Sequence, residues 1–332
     1  MNAKEIVKAA VEHRETGKVP YCIDFDKDGF NLYAEPLMKR YGSPRINKLL
    51  EKGIITQYEA VSLAIGNHVF SLRMPWWEWY QLPEEYLTSH EPPDYLPKTI
   101  GTGSYEDSLE KIKAVKEYAE CYILIRYYGS HSEKAMLARG SENFYADTAA
   151  SFDYCKRLLD YIISKNIVML DNIIHIPEID GIMIGGDWGT QKASIFNPEV
   201  WRKLVLPGEK IEYDLIKSGG KHVWIHSCGN IAALIPMLVD IGLEVLNPVQ
   251  PECMDIYKLK REYGNNLSFW GGISTQRTLP SGSVDEVIAE TRHVITEMSR
   301  GGGYITAPSQ HIQTDVSFEN VCAIIDTAKE FC

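Results

Sequence analysis

The chain has 332 residues, is 45% apolar and 24% charged, and carries a formal charge of −11. That composition is globular rather than disordered. Without any Lys/Arg cluster, its acidity argues against nucleic acid and against an anionic membrane surface as partners. No apolar run approaches the ~20 residues of a membrane span. The seven cysteines are irregularly spaced and include no Cys-x-x-Cys, so a reducing cytoplasm is expected rather than a disulfide framework.

The amino terminus, from Met1 to Lys8, reads as a charged amphipathic helix and not as a signal peptide. Eight short apolar segments follow as candidate strands: Val19–Phe25, His68–Arg73, Cys121–Tyr128, Asp180–Gly186, His222–Cys228, Glu244–Val249, Leu267–Gly272 and Gly303–Ala307. Helices fall between the later ones. Asn197-Pro198 starts one, with Asn as the cap and Pro at the first helical position. It runs toward Ser218-Gly219-Gly220, with a kink expected at Pro207. Ser283-x-x-Glu286 has the form of a capping box, and Ser317 caps the last helix. Strands alternating with helices predict an α/β fold, a (β/α)8 TIM barrel forming one domain over residues 1–332. A doubly wound sheet is the alternative.

One stretch breaks the rhythm. Residues 74–108 hold Trp76, Trp77 and Trp79 within four residues, then Pro83, Pro92, Pro93 and Pro97. The segment is too long and Pro-rich for a simple barrel connection. It reads either as a loop pinned by aromatic packing or as an aromatic lid over an apolar substrate, with Trp76, Trp77 and Trp79 as substrate-binding candidates.

The most informative motif is His226-x-Cys228-Gly229 at the end of the fifth candidate strand. Alternate residues of a strand share a face, so Trp224, His226 and Cys228 point one way and Val223 and Ile225 the other. An imidazole and a thiol two residues apart suit a single Zn²⁺; a buried Cys beside a hydrogen-bonded His is the plainer reading. Polar residues gather at the carboxyl ends of the strands, where barrel active sites lie. They include Asp24, Asp26, Asp187, Gln250, Glu252, Ser274, Gln276, Gln310 and His311. Asp24, Gln250, Gln310 and His311 are substrate-binding candidates.

His226-Ser227-Cys228-Gly229, Asn247-Pro248-Val249-Gln250-Pro251-Glu252, Phe269-Trp270-Gly271-Gly272-Ile273 and Gly302-Gly303-Tyr304-Ile305-Thr306-Ala307-Pro308 resemble the uroporphyrinogen decarboxylase superfamily, and most closely its methyltransferase-like branch. The resemblance is strong over residues 180–331 and continues more weakly upstream, through Ser132–Gly140 and Glu142-Asn143-Phe144. It implies a (β/α)8 barrel. True decarboxylases of this superfamily carry an Arg-Gln-Ala-Gly-Arg segment whose arginines hold porphyrinogen carboxylates. Here that region reads Lys18 to Lys27 without arginine and with Asp24 and Asp26, the wrong charge for such a substrate.

The methyltransferase branch implies zinc-dependent methyl transfer to or from a corrinoid (cobalamin), with His226 and Cys228 as metal ligands. Many relatives take a further Cys from Ala-Pro-Gly-Cys; this chain has Ala307-Pro308-Ser309-Gln310. The substitutes are Glu252, Asp187, Cys253 and His311. Asp187, Glu252 and Tyr304 are the catalytic candidates, for orienting substrate or moving protons. No Asp-x-His-x-x-Gly corrinoid-binding motif is present, so the corrin is expected on a separate corrinoid protein. The aromatic stretch suggests a methoxyaromatic donor. Related barrels often pair, so a homodimer is compatible. The rival readings are a metal-free decarboxylase or lyase acting on a small acid, using Lys192, Arg126 or Arg277, and a non-catalytic binding member.

Overall fold

The computed structural model describes residues 1–77, 91, 104–127 and 131–332. Seven strands alternate with helices: β1 (Val69–Leu72), β2 (Tyr122–Tyr127), β3 (Gly181–Gly185), β4 (His222–His226), β5 (Val245–Val249), β6 (Ser268–Ile273) and β7 (Tyr304–Pro308). β3 pairs with β4, β5 with β6 and β6 with β7, all parallel. Parallel strands need crossover connections and are covered on both faces. Accordingly β3, β5, β6 and β7 are buried at every position. Among the described residues, no helix is long and apolar enough to cross a membrane.

The chain falls into two compact units. Unit 1 comprises residues 1–71, 106–124 and 244–332 and carries β5, β6 and β7. Phe269 to Ile273 lie in continuous register with Tyr304 to Pro308. The β5–β6 register shifts between Leu246 and Val249, where Pro248 offers no N–H. The expected capping box is present at Ser283/Glu286 and Ser317 caps the last helix, Phe318–Lys329; a further box, Asn2/Glu5, starts the first helix.

The expectation of eight strands needs correcting. Val19–Phe25 does not form a strand; its ladder contacts are single parallel bridges, Tyr21 to Thr306 and Phe25 to Ile312. One feature within the segment and one beside it explain this. Pro20 has no N–H, so it only accepts, from Thr306 at 2.8 Å. Farther along, the Asn67 amide stands in for a neighbouring backbone: Oδ1 accepts from the Ile23 N–H at 2.9 Å and Nδ2 donates to the Ile23 carbonyl at 3.0 Å. The described residues thus give seven strands plus a bridged segment, not a closed eight-stranded barrel.

His68 lies beside this segment. Its backbone N–H donates to the Tyr21 carbonyl at 3.0 Å, and its ring meets the Tyr21 ring edge-on at 4.9 Å. Burial pushes the His68 imidazole down to about 4. An unfolded histidine titrates near 6.5, so the unfolded chain binds the extra proton first. Stability contributed by neutral His68 is complete above about pH 6.5 and is lost as pH falls toward 4, by up to about 3 kcal/mol. Urea unfolding across that window should show this loss in the wild type and a clearly shallower one in His68→Gln; equal slopes would contradict the assignment.

Unit 2 comprises residues 72–105 and 125–243 and carries β3 and β4, in register from Gly181 opposite His222 to Gly185 opposite His226. Its longest helix, Phe152–Ile174, buries Tyr154, Leu158, Leu159, Ile162, Ile163, Met169, Leu170 and Ile173, the stripe that a 3.6-residue period places on one face. The helix starting at Pro198 is capped by Asn197 and stops at Leu204; a second one, Leu206–Ser218, carries Pro207 in its first turn. The expected kink is thus a break.

Candidate metal centre

β3 and β4 end side by side, with Gly185 opposite His226. Past those ends the chain continues as Gly186-Asp187 and as Ser227-Cys228. Hydrogen bonds tie the two loops, among them Trp188 N–H to Ser227 Oγ at 3.1 Å, Cys228 N–H to Asp187 Oδ1 at 2.8 Å, and Asn230 N–H to the Thr190 carbonyl at 2.7 Å. Gly189 and Gly229 let the backbones touch. A Cβ on Gly229 would lie 2.5 Å from the Gly189 carbonyl carbon, and one on Gly189 would lie 2.5 Å from the Cys228 carbonyl oxygen. Gly229 also has φ +81°, a conformation that favours glycine.

These ties bring three ligand-type side chains together. His226 Nε2 lies 3.4 Å from Cys228 Sγ and 3.8 Å from Asp187 Oδ1. The donor atoms of all three fall within 4.8 Å of one another. Two ligands at zinc distances, about 2.05 Å for N and 2.3 Å for S, are about 3.5 Å apart when arranged tetrahedrally. The His226–Cys228 separation therefore fits a common ion, and the set of imidazole, thiol and carboxylate suits zinc. The His226 side chain is 15% exposed and that of Asp187 52%, so the cluster faces outward and leaves room for a further ligand. Glu133 supports it, accepting the Asp187 N–H on Oε1 at 3.0 Å.

The other candidates sit as follows. Glu252 accepts from Ser274 Oγ at 2.6 Å, Gln276 N–H at 3.2 Å and Ser309 Oγ at 3.3 Å. Its carboxylate is held in a hydroxyl network that includes Ser309. Gln250, Gln276, Gln310 and His311 line one cleft of about 240 Å³ in unit 1. Cys253 Sγ lies 3.8 Å from Gln250 Oε1. Asp24 is half-buried in the bridged segment. Tyr304 is 1% exposed and donates to the Gly271 carbonyl at 2.7 Å, and burial raises its phenol above the ordinary range. These are the marks of a scaffold residue rather than of a proton donor at a reacting centre.

The aromatic segment also reads differently in the structure. Trp76 stacks on Tyr127 at 3.9 Å, Trp77 donates from Nε1 to Asn166 Oδ1 at 2.6 Å, and the Lys134 ammonium lies over both indoles. Both are buried, Trp77 completely. These two are pins of the unit 2 core, not an exposed lid surface; Trp79 lies outside the described residues. Arg277, invoked for a small acidic substrate, borders a cavity of about 470 Å³ that Glu252 and Glu290 also line. Two carboxylates there oppose the positive surplus that an anionic substrate needs.

A protein-family model described as uroporphyrinogen decarboxylase (URO-D) matches residues 115–331, more than half of the chain. The chain belongs to the uroporphyrinogen decarboxylase family. Two curated proteins that the chain resembles are methyltransferases. It is 28% identical over 107 residues, 32% of this chain and 30% of the relative, to the methylcobamide:CoM methyltransferase MtaA of Methanosarcina barkeri. It is 22% identical over 138 residues, 42% of this chain and 35% of the relative, to the methylated-thiol–coenzyme M methyltransferase of Methanosarcina mazei. Those matches span about a third of each curated relative's length. A solved methyltransferase from Methanosarcina mazei superposes with a TM-score of 0.69 at 20% identity, covering 100% of this chain and 99% of that one; at that identity the likeness shows the fold. The curated matches, rather than the fold likeness, point to the methyltransferase-like branch of that family.

Sequence reasoning missed Glu133, which carries no signal except its place in the helix His131–Arg139. It also missed a second cluster in unit 2, His131 with Glu209 and Glu212. The i, i+3 spacing of the two glutamates was the one visible clue, and exposed pairs share that spacing.

Proposed function

We propose that this protein is a methyltransferase that moves a methyl group between a small methylated compound and a corrinoid carried on a separate protein. In this reading a zinc ion is held by His226, Cys228 and Asp187. The carrying observation is the 3.4 Å approach of His226 Nε2 to Cys228 Sγ beside the Asp187 carboxylate, in a family member whose relatives include a methylcobamide:CoM methyltransferase. When bound, zinc supplies a Lewis acid that stabilises the heteroatom from which a methyl group leaves or to which it is delivered. The chain's own residues set the geometry. Asp187 fixes the Cys228 backbone through its N–H, Glu133 fixes the Asp187 backbone, and Gly189 against Gly229 keeps the two loops in contact. The soft thiolate of Cys228 favours zinc over magnesium or calcium.

The donor class stays part of the proposal, with methoxyaromatics as one member beside methylthiols and methylamines. The test is methyl transfer from each donor to a reduced corrinoid protein, using native enzyme, chelator-stripped enzyme and stripped enzyme resupplied with zinc. Transfer that disappears on stripping and returns with zinc is expected. Transfer indifferent to zinc, or none with any donor in either direction, would contradict the reading.

A further inference from the structure

The core of unit 2 holds a polar cluster apart from the candidate metal centre. His131 opens the helix His131–Arg139, and Glu209 and Glu212 lie one turn apart on Leu206–Ser218. Side-chain exposure is 0% for His131 and Glu209 and 1% for Glu212. Three ionisable groups in so dry a place are costly unless something satisfies them.

The hydrogen bonds assign the imidazole tautomer. His131 Nε2 lies 3.0 Å from the Val205 carbonyl, which only accepts, so Nε2 carries a proton. Nδ1 then faces Glu209 Oε1 and Glu212 Oε2, each at 3.4 Å. A proton shared between imidazolium and carboxylate draws the heavy atoms to about 2.7–2.9 Å, and neither pair is that close. Nδ1, Glu212 Oε2 and both Glu209 oxygens make no well-formed hydrogen bond, with the Tyr213 hydroxyl the further polar group beside Glu209. Three donor atoms thus converge without touching. Ligands about 2.0–2.1 Å from one tetrahedral ion are about 3.4 Å apart, the separation seen for both pairs.

The surroundings match those of a metal ligand set. A histidine that binds metal through one nitrogen usually donates the other N–H to a carbonyl or carboxylate, as His131 does to Val205. Glu212 is aimed by Asn166, whose Nδ2 donates to Oε1 at 2.6 Å and so leaves Oε2 directed at His131. Asn166 is itself fixed by Trp77. Gly208 allows the close approach of the helix, since a Cβ there would lie 2.7 Å from His131 Nε2.

We propose that His131, Glu209 and Glu212 form a second, buried site for a divalent cation of zinc type, one that braces the fold and does not meet substrate. The ion ties the helix His131–Arg139 to Leu206–Ser218. The next residues of the first of these helices support the outer centre: Ser132 Oγ accepts from Trp188 Nε1 at 3.0 Å, and Glu133 accepts from Asp187. The inference is independent of the methyltransferase reading.

The test is elemental analysis with native mass spectrometry of protein purified without chelator. The wild type should hold two equivalents of divalent metal. A His226→Ala/Cys228→Ser double variant, altered only in the outer cluster, should keep one. Glu209→Gln, near-isosteric, should lose one and melt earlier. If Glu209→Gln does not fold, the double variant alone decides. A metal-free double variant overturns the buried site. One equivalent in the wild type that persists in the double variant upholds the buried site and instead removes the metal from the proposed function.

Discussion

Cys228→Ser should abolish stoichiometric zinc at the outer centre and lower methyl transfer by on the order of 10³-fold. The figure follows from losing a Lewis-acid contribution of several kcal/mol, at 1.36 kcal/mol per tenfold. The fold should survive the change. Cys228 is only part-buried, serine is nearly isosteric, and such a substitution rarely costs more than about 1 kcal/mol away from tight packing. Metal content, transfer rate and the melting temperature of the metal-free forms separate the two effects. If Cys228→Ser keeps its zinc and its rate, the thiol is not a ligand.

Gly229→Val should destabilise the protein by about 2–5 kcal/mol, combining left-handed strain with overpacking. Its Cβ would sit 2.5 Å from the Gly189 carbonyl carbon and 2.7 Å from the Thr190 carbonyl oxygen, and backbone cannot swing aside as a side chain can. Because the displaced loop carries Asp187, outer-site metal affinity should fall as well. Gly220→Val is the control: φ is +68° there, but no atom lies within 4 Å of the added Cβ, so only the strain, about 1–2 kcal/mol, applies. Denaturant midpoints that move equally in the two variants would show that loop contact is not what demands glycine at 229.

The strands were legible because parallel strands are buried on both faces and therefore read as short apolar runs. Val19–Phe25 misled because a proline and a side-chain amide interrupt a ladder that its apolar residues suggest. The approach of Cys228 to His226 matches what strand parity suggested, although the strand ends at His226 and Cys228 lies in the loop beyond it; Asp187 stood out through its place just beyond a strand. Tyr304 and the pair Trp76 and Trp77 show the limit of residue type as a guide. A phenol bonded to the Gly271 carbonyl and indoles under Lys134 look the same in a sequence as a catalytic phenol and an aromatic lid. His131, Glu209 and Glu212 were not legible because their meeting depends on how helices pack, and neither motif nor strand period reports that.

The most direct test of the central claim is anomalous diffraction above and below the zinc absorption edge, on crystals of protein purified without chelator. A zinc peak is expected within about 2.0–2.3 Å of both His226 Nε2 and Cys228 Sγ, with Asp187 turned toward it. A thiol and imidazole joined by a simple hydrogen bond, with no peak between them after zinc is supplied, would contradict it.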